Sequence, residues 1–388
     1  MTDAPLDPSP HVDPSAGVDH PAGVDPSAGV NHPARTGFAA TVSDWSDLVR
    51  LPNVFTVLAD VSAAFLLVAG SPAPVLRFVL VVITGVALYW AGMILNDVFD
   101  IDRDRHQRPH RPLPSGRIGV AAARRAGWGL IGVAIATSVL AGRAPSIVAD
   151  APNVVSTWWP PIIASLCAGC VLLYNGPFKR TVLAPLAMGG CRFFSFLLGA
   201  SPMIVFAPGQ SFPKVLVLIA TGFGIYIAGI TAIGAREAEP IREAEPISEA
   251  EPALDLASNR SDSHASDLNR SIGVRVSTLV NVGAVLVLIG LITLAFAPAA
   301  GHNPVWRLNT STIFPLVIAM ISFPVVRKAF AAAMRPSPET MQAAVKGGVR
   351  NIIPLAACFA VLGAGLWGVM VFLLVVPSLV LSMRYRVT

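Results

Sequence analysis

Long apolar runs, met one after another, constrain this chain more than any other feature. VLRFVLVVITGVALYWAGMIL (75–95) carries a single cation. About 20 such residues make a helix long enough to cross a bilayer. Runs of this kind predict helices near 52–71, 75–99, 119–141, 156–174, 181–206, 212–235, 273–298, 310–326 and 351–382. The last is long enough to bend at Pro377. Turn residues fall between them, as in SPAP (71–74), NGPFKR (175–180) and GHNP (301–304). Composition agrees: 54% of residues are hydrophobic and 13% charged, where soluble domains carry about 25% charged residues. The expected fold class is an all-α polytopic membrane protein of about nine transmembrane helices. A net charge of +5 calls for no nucleic-acid partner, because Lys and Arg of such proteins gather in cytoplasmic loops.

Two segments stand apart from the runs. Residues 1–44 form an N-terminal tail in which VDPSAGVDHPAG (12–23) is followed by VDPSAGVNHPA (24–34). Pro, Gly, Ala and Asp in alternation cannot bury a core, so disorder is expected. The remainder, 45–388, reads as one membrane domain interrupted by a low-complexity insert at 236–271. Cys167 and Cys170 form a CxxC, but within IIASLCAGCVLL they read as small helix-contact residues. With the N-terminus inside, about 21 Lys and Arg face the cytoplasm and about 6 the other side, the bias expected of an inner-membrane protein. The mid-span charge is then nearly limited to Arg192.

The charged stretch NDVFDIDRDRHQRPHRPLPSGR (96–117) follows the second run directly. At helical spacing, Asn96, Asp97, Asp100 and Asp104 share one arc while Asp102 points away. Carboxylates gathered this closely repel one another unless cations join them. Hard oxygen ligands at a membrane boundary suit Mg²⁺, which binds one or two carboxylates together with substrate phosphates. A diphosphate ester bridged in this way would lose its leaving group readily. Arg108, Arg111 and Arg117 follow on a loop stiffened by proline, set to meet phosphate oxygens.

These residues carry a resemblance. NDVFDIDRD fits the NDxxDxxxD motif of the UbiA superfamily of intramembrane prenyltransferases, and RPHRPLPSGR (108–117) resembles the RPxRPLPSG after it. YNGPFKR (174–180) looks like the family's Tyr-rich turn ending in basic residues. LAPLAMGGCRFFSFLLGAS (183–201) is similar to its fifth helix, in particular in a branch linked to bacterial ebo-type gene clusters. The resemblance implies a nine-helix bundle around a central, lipid-accessible cavity. It implies Mg²⁺-dependent transfer of an isoprenyl chain from a prenyl diphosphate to a small aromatic or other acceptor, in contact with membrane lipid. Asp97 and Asp100 would be catalytic and, with Asp104, would hold Mg²⁺. Asn96 would orient phosphate or carboxylate, while Lys179 and Arg180 would bind diphosphate. Arg192, within an apolar run where an unpaired charge is costly, is expected to face the cavity.

The family's second acidic motif, DxxxD after the sixth helix, is missing from its expected place. Three copies of a six-residue unit stand there instead, REAEPI, REAEPI and SEAEPA (236–253). Only Glu237, directly after the helix, is a candidate ligand. Two further readings are a diverged member that binds prenyl diphosphate without transferring it, and a transporter.

Overall fold

A computed structural model describes residues 38–145, 156–179, 181–205, 212–235, 278–301 and 306–384. The tail repeats, Arg180, Glu237 and the insert at 236–271 lie outside the described residues. The chain divides into two units, Met1–Ala40 and Thr41–Thr388. Nearly all of the first is outside the described residues, and the second contains the helical bundle.

The described elements are helical throughout. In chain order they are α1 (Phe38–Leu48), α2 (Val54–Ala69), α3 (Val75–Phe99), α4 (Ile101–Gln107), α5 (Val120–Arg143), α6 (Trp159–Asn175) and α7 (Ala184–Ala200). Then come α8 (Lys214–Gly234), α9 (Thr278–Ala300), α10 (Ile313–Met334), α11 (Pro338–Ala364), α12 (Leu366–Leu373) and α13 (Val375–Arg384). Among the described residues, eight helical stretches are long and apolar enough to cross a membrane. α6 and α7, of 17 residues each, fall short of that length, so length alone does not reproduce the expected nine. The chain is an integral membrane protein.

Burial separates inner from outer helices. The spans of α2, α8 and α11 are each 72% buried, against 11% for the α12–α13 stretch. Phe196 of α7, Phe223 of α8, Phe314 of α10 and Phe359 of α11 meet at the centre, with ring centroids 5.1–6.1 Å apart. Such offset and edge-on contacts add to the area the rings bury. Small residues let backbones approach where helices cross. A Cβ built on Gly199 would lie 2.2 Å from the Val61 carbonyl oxygen of α2. Gly199→Ala should therefore force α7 off α2 and cost about 1–3 kcal/mol. Gly169→Ala, where a Cβ meets open space, should not. Thermal unfolding in detergent checks this, and equal melting of the two variants contradicts the packing described.

The C-terminal region departs most from the reading of the sequence. One helix was expected over 351–382; the structure starts α11 at Pro338. Ser337 caps it, its hydroxyl accepting from the Thr340 amide while the Thr340 side chain accepts from the Ser337 amide. Lys346 and Arg350 interrupt the hydropathy but not the backbone hydrogen bonding, so the apolar run hides the helix's true start. Gly365, at φ +57°, then ends α11, a conformation costly for any residue with a Cβ. The break near Pro377 falls at Leu374, and Pro377 sits in the first turn of α13, where proline is tolerated. The seventh helix is also shorter than 181–206, closing in a 3-10 turn at Ser201–Met203 around Pro202.

Candidate functional site

One face of α3 organises the site. Gly85, Leu88, Tyr89, Gly92 and Met93 line an apolar cavity whose remaining wall comes from α2, α6, α7 and α8. Spacings of three and four keep these residues on one helix face. The same spacing continues into Asn96, Asp97 and Asp100, so the cavity and the acidic cluster are successive stretches of a single face. At Asp100 the backbone relaxes to φ −92°, ψ 4°. The Asp104 amide still donates to the Asp100 carbonyl (2.8 Å), which carries the arc on into α4.

Cations from three parts of the chain meet these carboxylates. Lys179, just after α6, donates to Asn96 Oδ1 at 2.7 Å and Asp100 Oδ2 at 2.5 Å. Arg111 donates to Asp104 Oδ2 at 2.8 Å and stands 3.6 Å from Asp97 Oδ1. Arg50 stands 3.6 Å from the same oxygen of Asp97. Three carboxylates thus face three cations, and the mutual repulsion of the acids is answered within the protein. Asp97 and Asp104 are buried, and the Lys179, Arg111 and Asp100 side chains are each under a fifth exposed. Burial pulls the Lys179 ammonium below its usual pKa, opposed by its hydrogen bond to Asp100 and by the charges of Asp100 and Asp97.

Local sequence explains why Arg111 points inward. The loop RPHRPLPSGR is pinned by Leu113 and Ile118, which pack with Leu48, Ile94 and Ala123 in a small core of their own. Arg117 ties the same loop to α1 by a 2.5 Å contact with Asp44. Arg108 is not brought to the cluster. It is exposed at the end of α4, and no hydrogen bond or ion pair among the described residues holds its side chain. Asp102 points outward as the arc requires and pairs with Arg105 at 3.0 Å. His106 and His110 are exposed.

Deeper in the bundle, Arg192 lines the cavity. The sequence reading missed its partner. Arg192 is bonded to the carboxylate of Asp60, a wholly buried residue of α2. It also donates to the carbonyl and hydroxyl of Thr56. Mid-span charge is therefore not nearly limited to Arg192. Arg77 is not mid-span: buried in the first turn of α3, it reaches the carbonyls of Ala144 (2.8 Å) and Pro202 (2.7 Å). Arg50 was missed as a site residue too, its only signal being a cation close to the start of the first run.

The oxygens of Asn96, Asp97 and Asp100 form a hard donor set suited to Mg²⁺. Two of them already converge on a cation, the Lys179 ammonium. Among the described residues no group of three or more acidic, His or Cys side chains could by itself hold a metal ion.

Fold and site define a polytopic helical membrane protein with a charged cluster one turn beyond an apolar cavity along α3. Residues 56–238 match the UbiA prenyltransferase family, a match that supports membership of the UbiA superfamily. A stretch of 100 residues is 35% identical to a digeranylgeranylglyceryl phosphate synthase of Sulfurisphaera tokodaii, covering 26% of this chain and 36% of that protein. The corresponding protein of Methanocaldococcus jannaschii is 30% identical over 88 residues, 23% and 31% of the two chains. The chain thus spans about a third of the length of these curated relatives. A solved digeranylgeranylglyceryl phosphate synthase shares the fold with TM-score 0.55 and 17% identity, over 84% of this chain and 99% of that one. A UbiA homologue from Archaeoglobus fulgidus, solved with GPP and Mg²⁺, gives 0.52 and 15%, over 85% and 99%.

Proposed function

We propose that the protein transfers an isoprenyl chain from a prenyl diphosphate to a small acceptor inside the membrane, with Mg²⁺ as cofactor. The observation that carries this reading is the continuity of the α3 face, apolar along the cavity and acidic one turn beyond it, with Lys179, Arg111 and Arg50 gathered there. A prenyl diphosphate has the same polarity, a long apolar tail and a compact anionic head. Asn96, Asp97 and Asp100 would hold Mg²⁺; Asp104, bonded to Arg111, orients that guanidinium, and Glu237, the remaining candidate ligand, lies outside the described residues. Held by these residues, Mg²⁺ would supply the positive charge that stabilises the departing diphosphate.

The protein's own side chains do the remaining work. Lys179 and Arg111 offer charge-assisted hydrogen bonds to the diphosphate as its bond to carbon lengthens. Arg50 adds charge on the other side of Asp97, and Arg180 would extend the basic turn. Arg108, at the rim, would help only in drawing the anion toward the mouth. The apolar wall keeps water from the electron-poor chain end until the acceptor reaches it. The excess of Lys and Arg near this end supports a cytoplasmic mouth and cytoplasmic N-terminus in a bacterial inner membrane.

Transfer of a labelled prenyl chain in membranes, with Mg²⁺ supplied or chelated, tests the reading. A hydrophobic labelled product that forms only with the metal is expected. The repeat in place of the second acidic motif favours one alternative, a protein that binds prenyl diphosphate without transferring it. Saturable binding with no product from any acceptor would establish that alternative instead. Lys179→Met should weaken prenyl diphosphate binding about tenfold, the worth of one charge-assisted contact, as read by equilibrium binding to the purified protein.

A further inference from the structure

The cavity wall carries a charge that is already answered. Arg192 faces the cavity, but its guanidinium is bonded to the Asp60 carboxylate and to both oxygens of Thr56. An anion arriving there meets a neutral pair and must compete with a carboxylate that is wholly buried. Two other wall residues have bonding capacity to spare. Asn175 is 4% exposed; its Nδ2 is committed to the Gly92 carbonyl at 3.1 Å, and its Oδ1 has no partner. Ser195, one turn along α7 from Arg192, is 8% exposed, and its Oγ has no partner either.

These atoms specify what they lack. The amide oxygen of Asn175 can only accept, so a group that satisfies it must donate. Carboxylate and phosphate oxygens cannot donate, and their charge would stand against both that oxygen and Asp60. A hydroxyl donates and accepts at once, so it can serve Asn175 or Ser195. Leaving a buried polar atom unpaired is costly, which turns the missing bond into selectivity.

We propose that this cavity takes a neutral, hydroxyl-bearing acceptor and discriminates against acceptors bearing a carboxylate or phosphate. The word acceptor rests on the prenyl-transfer reading; the binding preference does not. The test is equilibrium binding of 2-naphthol and 2-naphthoate, matched in shape, to the purified full chain in nanodiscs at neutral pH, with empty nanodiscs subtracted. Naphthol should bind about tenfold more tightly, the worth of about one hydrogen bond. Asp60→Asn, which removes the charge facing Arg192, should shift the preference toward naphthoate. Ser195→Ala, which removes an unpaired hydroxyl and should fold normally, should weaken naphthol binding severalfold.

Equal or tighter binding of naphthoate to the unaltered chain, or no binding of naphthol, overturns the proposal. So does an unchanged ratio in folded Asp60→Asn. If that variant does not fold, Ser195→Ala decides, and undiminished naphthol binding there overturns it. No prenyl diphosphate is present in these measurements. A clear naphthol preference without any transfer activity would count against the transferase reading alone, and transfer without the preference against this proposal alone.

Discussion

Asp97→Ala is expected to lower prenyl transfer by about 10³-fold, the scale of losing one preorganised electrostatic group. Two effects act in the same direction. The donor set loses a carboxylate that would hold Mg²⁺, and Arg50 and Arg111 lose the oxygen both approach at 3.6 Å. Freed of that anchor, their guanidiniums would bind the diphosphate in geometries that do not assist its departure. Binding should therefore fall much less than turnover, separating a reaction defect from a binding defect. Asp100→Ala should behave alike, with Lys179 keeping only its bonds to Asn96. Labelled-chain transfer and diphosphate binding, measured on the same preparations, check both variants. Activity within threefold of the unaltered protein would remove these aspartates from the reaction.

The second large effect concerns stability. Asp60→Leu or Arg192→Met should each cost about 3–5 kcal/mol, because either leaves a charge buried without its counter-ion. The double variant should recover most of that loss, since an apolar pair of similar volume replaces a desolvated ion pair. Thermal unfolding of the four proteins in detergent gives the coupling between the two sites directly. Additive losses in the double variant would show that the contact between α2 and α7 carries no such weight.

The acidic arc was legible because its members lie within one stretch of helix, where spacing alone decides which side chains share a face. Asp102 shows the same rule from the other side, pointing to solvent and pairing with Arg105. Arg50 and Asp60 were not legible. Asp60 meets Arg192 across 132 positions of sequence, and no periodicity within α2 says which helix will pack against it. Hydropathy located most spans to within a few residues but misjudged α11, where membrane helix and polar helix are one continuous element. The loop bearing Arg111 was readable as proline-stiffened, yet only the packing of Leu113 and Ile118 separates Arg111, turned inward, from Arg108, left outside.

The α3 face has a consequence for how the two ends of a substrate are kept in phase. Because cavity wall and acidic cluster ride on the same α-helix, their separation is counted in turns of about 5.4 Å and does not depend on how neighbouring helices shift. A single residue added between Met93 and Asn96 would rotate the cluster about 100° away from the cavity while leaving every side chain in place chemically. The helix acts as a fixed ruler between anionic head and apolar tail, so evolution can reshape the other walls without losing the alignment of the bond that breaks.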